Sequence, residues 1–251
     1  MRLLLVNPNM TQAVTDRLAS AARAVCNSGT EIVALTAPRG FPYISGRGEA
    51  QIAGAIAMEM IADHAQGADG AIIGAFGDPG LFGARELFDF PVVGMSEAAM
   101  LTACMLGSRF AIVTFTRALS PWYEECVASH GLSGRCAAIC TLDGAFVSFA
   151  DVQVEKEAQL VELAHRAVFE NGADVVILAG APLAGLAAKV RDRIPVPVVD
   201  QAAAAVKQLE ALVALRPNKA SAGTFARPAG KANAGLHPAL AALIAGATAK
   251  T

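Results

Sequence analysis

Short unbroken apolar runs, each stopped by a turn rich in Gly, Pro or Asn, alternate along this chain with longer stretches of mixed polarity. Runs over 2–6, 31–35, 71–75, 91–94, 109–114, 136–142, 175–179 and 197–200 have the length and continuous apolarity of strands buried on both faces. Between them the spacing predicts helices over 11–25, 49–65, 81–87, 97–106, 121–130, 154–171 and 183–192, with a short one over 238–244. Thr11 and Ser96 stand where N-caps belong. Strands alternating with helices predict parallel sheets joined by right-handed crossovers. The segment 36–48, broken by Pro38, Gly40, Pro42, Gly46 and Gly48, reads as a loop long enough to serve a ligand.

The pattern occurs twice. Gly67–Ala75 followed by Phe76-Gly77-Asp78-Pro79-Gly80-Leu81 reads as a copy of Gly172–Gly180 followed by Ala181-Pro182-Leu183-Ala184-Gly185-Leu186. Arg2–Asn7 is matched by Arg109–Thr114, and Pro91–Gly94 by Pro197–Asp200. The expected fold is therefore α/β, with two pseudo-symmetric lobes, each a parallel sheet flanked by helices, and an active site in the cleft between them. Residues 1–100 are expected to form the first lobe, completed by about 201–215, and 101–200 the second. Residues 216–251 carry Arg216, Lys219, Arg227, Lys231 and Lys250 with no acid, and read as a basic Gly/Ala/Pro-rich packing or oligomerisation tail.

Composition narrows the function classes. With 54% hydrophobic residues, 17% charged and a net charge of −2, the chain has the core of a globular protein and no field that would draw nucleic acid or an anionic membrane. The apolar start is cut at Asn7-Pro8-Asn9, too soon for an export signal, so a cytoplasmic location is expected. Five cysteines form no zinc-type pair and read as reduced, mostly buried thiols; the four scattered histidines read as surface residues. No Walker loop, dinucleotide glycine motif, metal motif or Gly-x-Ser-x-Gly elbow occurs, so no cofactor and no metal are implied.

Open parallel sheets bind ligands beyond the carboxyl ends of their strands. That rule selects Asn7, the 36–48 loop, Ala75–Gly80, Thr114–Arg117, Gly180–Gly185 and Asp200. The Phe76-Gly77-Asp78 backbone offers N–H groups for a polarised carbonyl. Asn7 and Thr114 end equivalent strands and can hydrogen-bond a ligand from opposite sides. Asp78 can handle a proton or cap a helix; Tyr43 and Ile44 can wall the site, with Tyr43 a weak second candidate for the proton.

At Val6-Asn7-Pro8-Asn9, Phe76–Leu81, Glu97-Ala98-Ala99, Ile112-Val113-Thr114 and Ala184-Gly185-Leu186 the chain resembles the aspartate/glutamate/hydantoin racemase superfamily, in its hydantoin racemase branch. The resemblance runs over roughly residues 1–215. It implies two similar lobes around one cleft, neither metal nor organic cofactor, and two cysteines, one per lobe, that move a proton between the faces of a carbon. Matched residue by residue, those cysteines fall at Ala75 and Gly180, where neither side chain carries a proton. The implied site is catalytic Asp78, Tyr43 and Thr114, with Asn7, Ile44, Ala75, Phe76, Gly77, Phe115, Gly180, Ala181 and Pro182 around a small-molecule substrate. The expectation is hydrolytic ring opening of a hydantoin-like cyclic ureide by a homo-oligomer. The alternatives are a racemase or epimerase with non-cysteine bases, and a non-catalytic ligand-binding homologue.

Overall fold

The computed structural model describes residues 1–143 and 151–246. Its first sheet contains β1 (Arg2–Asn7), β2 (Glu31–Thr36), β3 (Gly70–Ile73) and β4 (Val92–Gly94), in the order β2-β1-β3-β4. The second contains β5 (Phe110–Thr114), β6 (Cys136–Thr141), β7 (Val175–Leu178) and β8 (Val198–Asp200), in the order β6-β5-β7-β8. Every pairing is parallel. The two orders are the same order, so the internal repeat of the sequence is a repeat of topology. Leu3–Val6 and Val175–Leu178 are buried on both faces, as continuous apolar runs require; each such side chain withdrawn from water contributes about 1.5–3 kcal/mol.

The helices are α1 (Gln12–Arg23), α2 (Arg47–His64), α3 (Leu81–Leu87), α4 (Met95–Leu106), α5 (Ser120–Ser129), α6 (Val152–Phe169), α7 (Leu186–Val190), α8 (Gln201–Leu215) and α9 (Pro238–Ile244). After β8, α8 returns to pack on α4, α1, β3 and β4, while also touching β8. The tail beyond it lies against the first sheet's helices. Lys219 and Arg227 donate to the carbonyls of Arg85, Glu86 and Leu87 at the end of α3, and α9 packs on α2.

Four local expectations are corrected. The strand read over 71–75 stops at Ile73, which leaves Ala75 in the loop. Ser96 lies inside α4 and does not cap it; the Asp78 carboxylate, from another loop, accepts from the Ser96 and Glu97 amides instead. Thr11 flanks α1 without capping it, and its hydroxyl donates to the Pro42 carbonyl. The helix read over 183–192 is a 3-10 turn over Ala181–Leu183, α7, and a second 3-10 turn over Arg191–Arg193. Gly185 has φ +83°, a conformation outside the helical region, so the segment cannot run as one helix.

Candidate active site

Ala75 follows β3 and Gly180 follows β7, at equivalent ends of the central strands of the two sheets. Aromatic rings occupy the space between these ends. Phe76 packs on Tyr123 with ring centroids 4.8 Å apart, Trp122 on Tyr123 at 5.9 Å, and Tyr43 on Phe115 at 6.1 Å. Tyr123 joins the lobes. Its ring lies on Phe76, and its hydroxyl is 3.6 Å from where a Cβ on Gly180 would stand.

Hydrogen bonding fixes that hydroxyl. The Thr114 hydroxyl donates to the Ala179 carbonyl (2.9 Å), so it receives the Tyr123 proton with its oxygen. Burial, with Tyr43 nearby, pushes the Tyr123 phenol well up against the opposing pull of Thr114. Burial and the Glu49 carboxylate push Tyr43 up as well. Both phenols are neutral at ordinary pH, and Tyr123, whose proton is directed at Thr114, turns oxygen lone pairs to the cleft.

Gly180 is in a backbone conformation that favours glycine, φ +106°, and a Cβ there would stand 2.9 Å from the Phe115 ring. The side-chain amide of Gln201, at the start of α8, brackets its peptide: Oε1 accepts from the Gly180 amide (3.0 Å) and Nε2 donates to the Gly180 carbonyl. Gly77 has φ +109°, and a Cβ there would collide with the Trp122 indole. Its amide donates to Ser96 Oγ, and the Asp78 amide to the Ala75 carbonyl. The anion nest expected from the Phe76-Gly77-Asp78 backbone is thus narrower than its sequence suggests, because two of the three amides are already engaged. The amides of Ala75, Phe76 and, across the cleft, Ala181 have no hydrogen-bond acceptor among the described residues, although all three residues are buried. Buried backbone N–H groups are nearly always paired, so these three point to a ligand's carbonyl oxygens.

The other expected residues divide. Ile44, Phe115, Ala181 and Pro182 are buried. Asn7 is fully buried, but its side chain is spent on its own turn: Nδ2 donates to Thr15 Oγ1 (2.8 Å) and to Asn9 Oδ1 (3.2 Å), and Oδ1 accepts from the Asn9 amide (3.2 Å). It shapes the turn and does not reach for a ring. Both Asp78 oxygens accept from the first turn of α4, at 2.9 and 2.8 Å. Thr114 is likewise engaged within the protein, with the Ala179 carbonyl and the Tyr123 hydroxyl.

A cluster that sequence reasoning missed lies beneath this loop. His130, read as a surface residue, is only 7% exposed in its side chain, with Nε2 3.5 Å from Asp78 Oδ2 and Nδ1 3.6 Å from Glu97 Oε1. Cys126 is buried beside them and hydrogen-bonds Ser96. The other four thiols are only partly buried, against expectation. Trp122 and Cys126 on α5 and His130 just past its end recur every four residues along one face; that spacing was the available signal. Gln201 and Tyr123 carried none, since their roles depend on the opposite lobe. A separate cavity of about 510 Å³ is lined in part by Arg17, Gln153 and Lys189 together with Gly185 and Asp200 of the expected strand-end positions, but by none of the expected catalytic or substrate-binding residues.

The sequence profile of the Asp/Glu/Hydantoin racemase family matches residues 3–209. The chain belongs to that family. It is 33% identical to a hydantoin racemase of Paenarthrobacter aurescens over 92% of this chain and 99% of that one. Its fold superposes on an allantoin racemase from Klebsiella pneumoniae with a TM-score of 0.90, at 36% identity, over 96% of this chain and 98% of that one. An allantoin racemase from Pseudomonas fluorescens follows at 0.87 and 34%, over 94% and 100%. The family is one of enzymes, and these relatives reverse the order of the two catalytic readings, weighing racemisation above ring opening. No described helix is long and apolar enough to cross a membrane.

Proposed function

We propose that this protein interconverts the enantiomers of a small hydantoin-like cyclic ureide by exchanging the proton on the ring carbon between its two carbonyl-bearing neighbours. The observation that carries the reading is the set of three buried amides, Ala75 and Phe76 on one lobe and Ala181 on the other. A cyclic ureide presents carbonyl oxygens in two directions. Loss of the ring proton places negative charge on the adjacent oxygen, where preorganised N–H donors stabilise it most.

Neither Ala75 nor Gly180 carries a proton-transferring group. A hydantoin ring proton is acidic enough for a weak base, so water takes it up on one face and water returns one on the other, the two roles exchanging for the opposite enantiomer, while the Tyr43 and Tyr123 hydroxyls hold these waters in place. Rate should then rise with pH through the neutral range, since hydroxide-like water is the base and both phenols stay protonated. The lack of thiols at the two strand ends is also what favours the second reading, hydrolytic ring opening by a water attacking a carbonyl held on the same amides.

One experiment separates these readings. The protein is incubated with single enantiomers of 5-substituted hydantoins in D2O, followed by chiral chromatography with mass detection. Racemisation predicts loss of optical purity with a gain of one deuterium in the ring. A carbamoyl acid heavier by one water would replace racemisation with ring opening, and neither change would leave a binding protein.

A further inference from the structure

We propose that Asp78, Cys126 and His130 form a site for a single zinc-class divalent cation that ties the loop after β3 to α5, and so one lobe to the other. One donor atom from each lies within 4.8 Å of the other two, in a buried or nearly buried setting. The separation of His130 Nε2 from Asp78 Oδ2, 3.5 Å, is too long for a good hydrogen bond between a ring N–H and a carboxylate. It is the edge expected of a tetrahedron whose ligands lie about 2.0–2.2 Å from a central ion. A carboxylate, a thiol and an imidazole together form a donor set that suits zinc or cobalt(II) over magnesium or calcium.

The surroundings fit the same reading. Behind His130, on the side of its second ring nitrogen, stands the Glu97 carboxylate at 3.6 Å, too far for a hydrogen bond as it stands but on the side where metal-bound histidines ordinarily have a carboxylate. Glu97 is held in turn by Arg85 through two contacts, at 2.9 and 2.5 Å. Arg85 neutralises Glu97, and among the described residues Asp78 has no Lys or Arg partner, only His130. Asp78 is oriented by the Ser96 and Glu97 amides and has φ +49°, a strained conformation for a non-glycine residue. Cys126 lies in the last turn of α5 and His130 is its C-cap, four residues on, the spacing that puts two side chains on one face. The Phe82 ring lies against His130, with centroids 5.4 Å apart, and shields it. Binding displaces the thiol proton of Cys126 to solvent, leaving a dication balanced by one carboxylate and one thiolate.

The test is a cobalt(II) titration of the full chain after exhaustive chelation, read by absorption. Expected are one equivalent per chain, a thiolate-to-cobalt charge-transfer band in the near ultraviolet, release of one proton, and displacement of the band by zinc. Cys126→Ser should abolish the band while leaving the circular dichroism spectrum unchanged. Glu97→Gln should weaken binding by about 10–100-fold. A wild-type protein that binds cobalt without the thiolate band, or a band that survives Cys126→Ser, overturns the proposal. Because the titration reads no turnover, its failure is separate from any failure of the racemase reading.

Discussion

At the residue scale, the two strand ends differ in what they would tolerate. Ala75 already carries a Cβ, whereas Gly180 combines φ +106° with the Phe115 ring at 2.9 Å from any added carbon. Ala75→Cys should therefore fold normally, and it should speed deuterium uptake into the substrate ring, because it returns a group that can carry a proton to one face. Gly180→Cys should lower stability by about 1–3 kcal/mol in chemical denaturation. Equal stability of the two variants would contradict the strain argument. Tyr123→Phe removes the hydroxyl that Thr114 orients beside Gly180; if that oxygen holds the water that moves the proton, the change should lower kcat by about 10²-fold with little change in KM. A KM effect alone would assign Tyr123 to the cleft wall.

At the element scale, side chains from other segments hold several helix ends, and these long-range bonds set how the elements meet. Asp78 holds the start of α4 from a different loop, so Asp78→Ala should cost about 1–3 kcal/mol even though its local turn would survive. Glu210, within α8, pins the loop between α1 and β2 instead. Burial pushes its carboxyl up, but the Asn27 amide, the Thr30 hydroxyl and the Lys207 ammonium outweigh burial and hold it below the ordinary glutamate value. A lowered value in the folded state means that this stabilisation is complete above the unfolded glutamate pKa and is lost as pH falls through the folded one. Glu210→Gln should flatten the fall in Tm on acidification relative to the parent protein, and an unchanged slope would show that Glu210 is not the group responsible.

At the scale of the whole molecule, the repeated apolar runs determined much by themselves. Eight strands, their parallel pairing and the duplication of one plan follow from runs such as Leu3–Val6 and Val175–Leu178, because burial on both faces leaves a periodicity signal within the segment. The strands' positions were legible for the same reason, as were the segments where Ala75, Phe76, Gly180 and Ala181 lie, although β3 stops two residues before the end its sequence suggests. The roles of individual residues were not. Asp78, Thr114 and Asn7 have the chemistry expected of them, but their hydrogen bonds are taken up within the protein by partners that local spacing does not reveal. Tyr123 and Gln201 matter because the second lobe or the returning α8 brings them to Gly180. Asp78 meets Cys126 and His130 only when the lobes face one another. Sequence alone decided the strands, the repeat and the family, since these rest on contiguous patterns. Which polar atoms remain open to a ligand was decided by tertiary structure, since each donor's availability depends on partners far away along the chain.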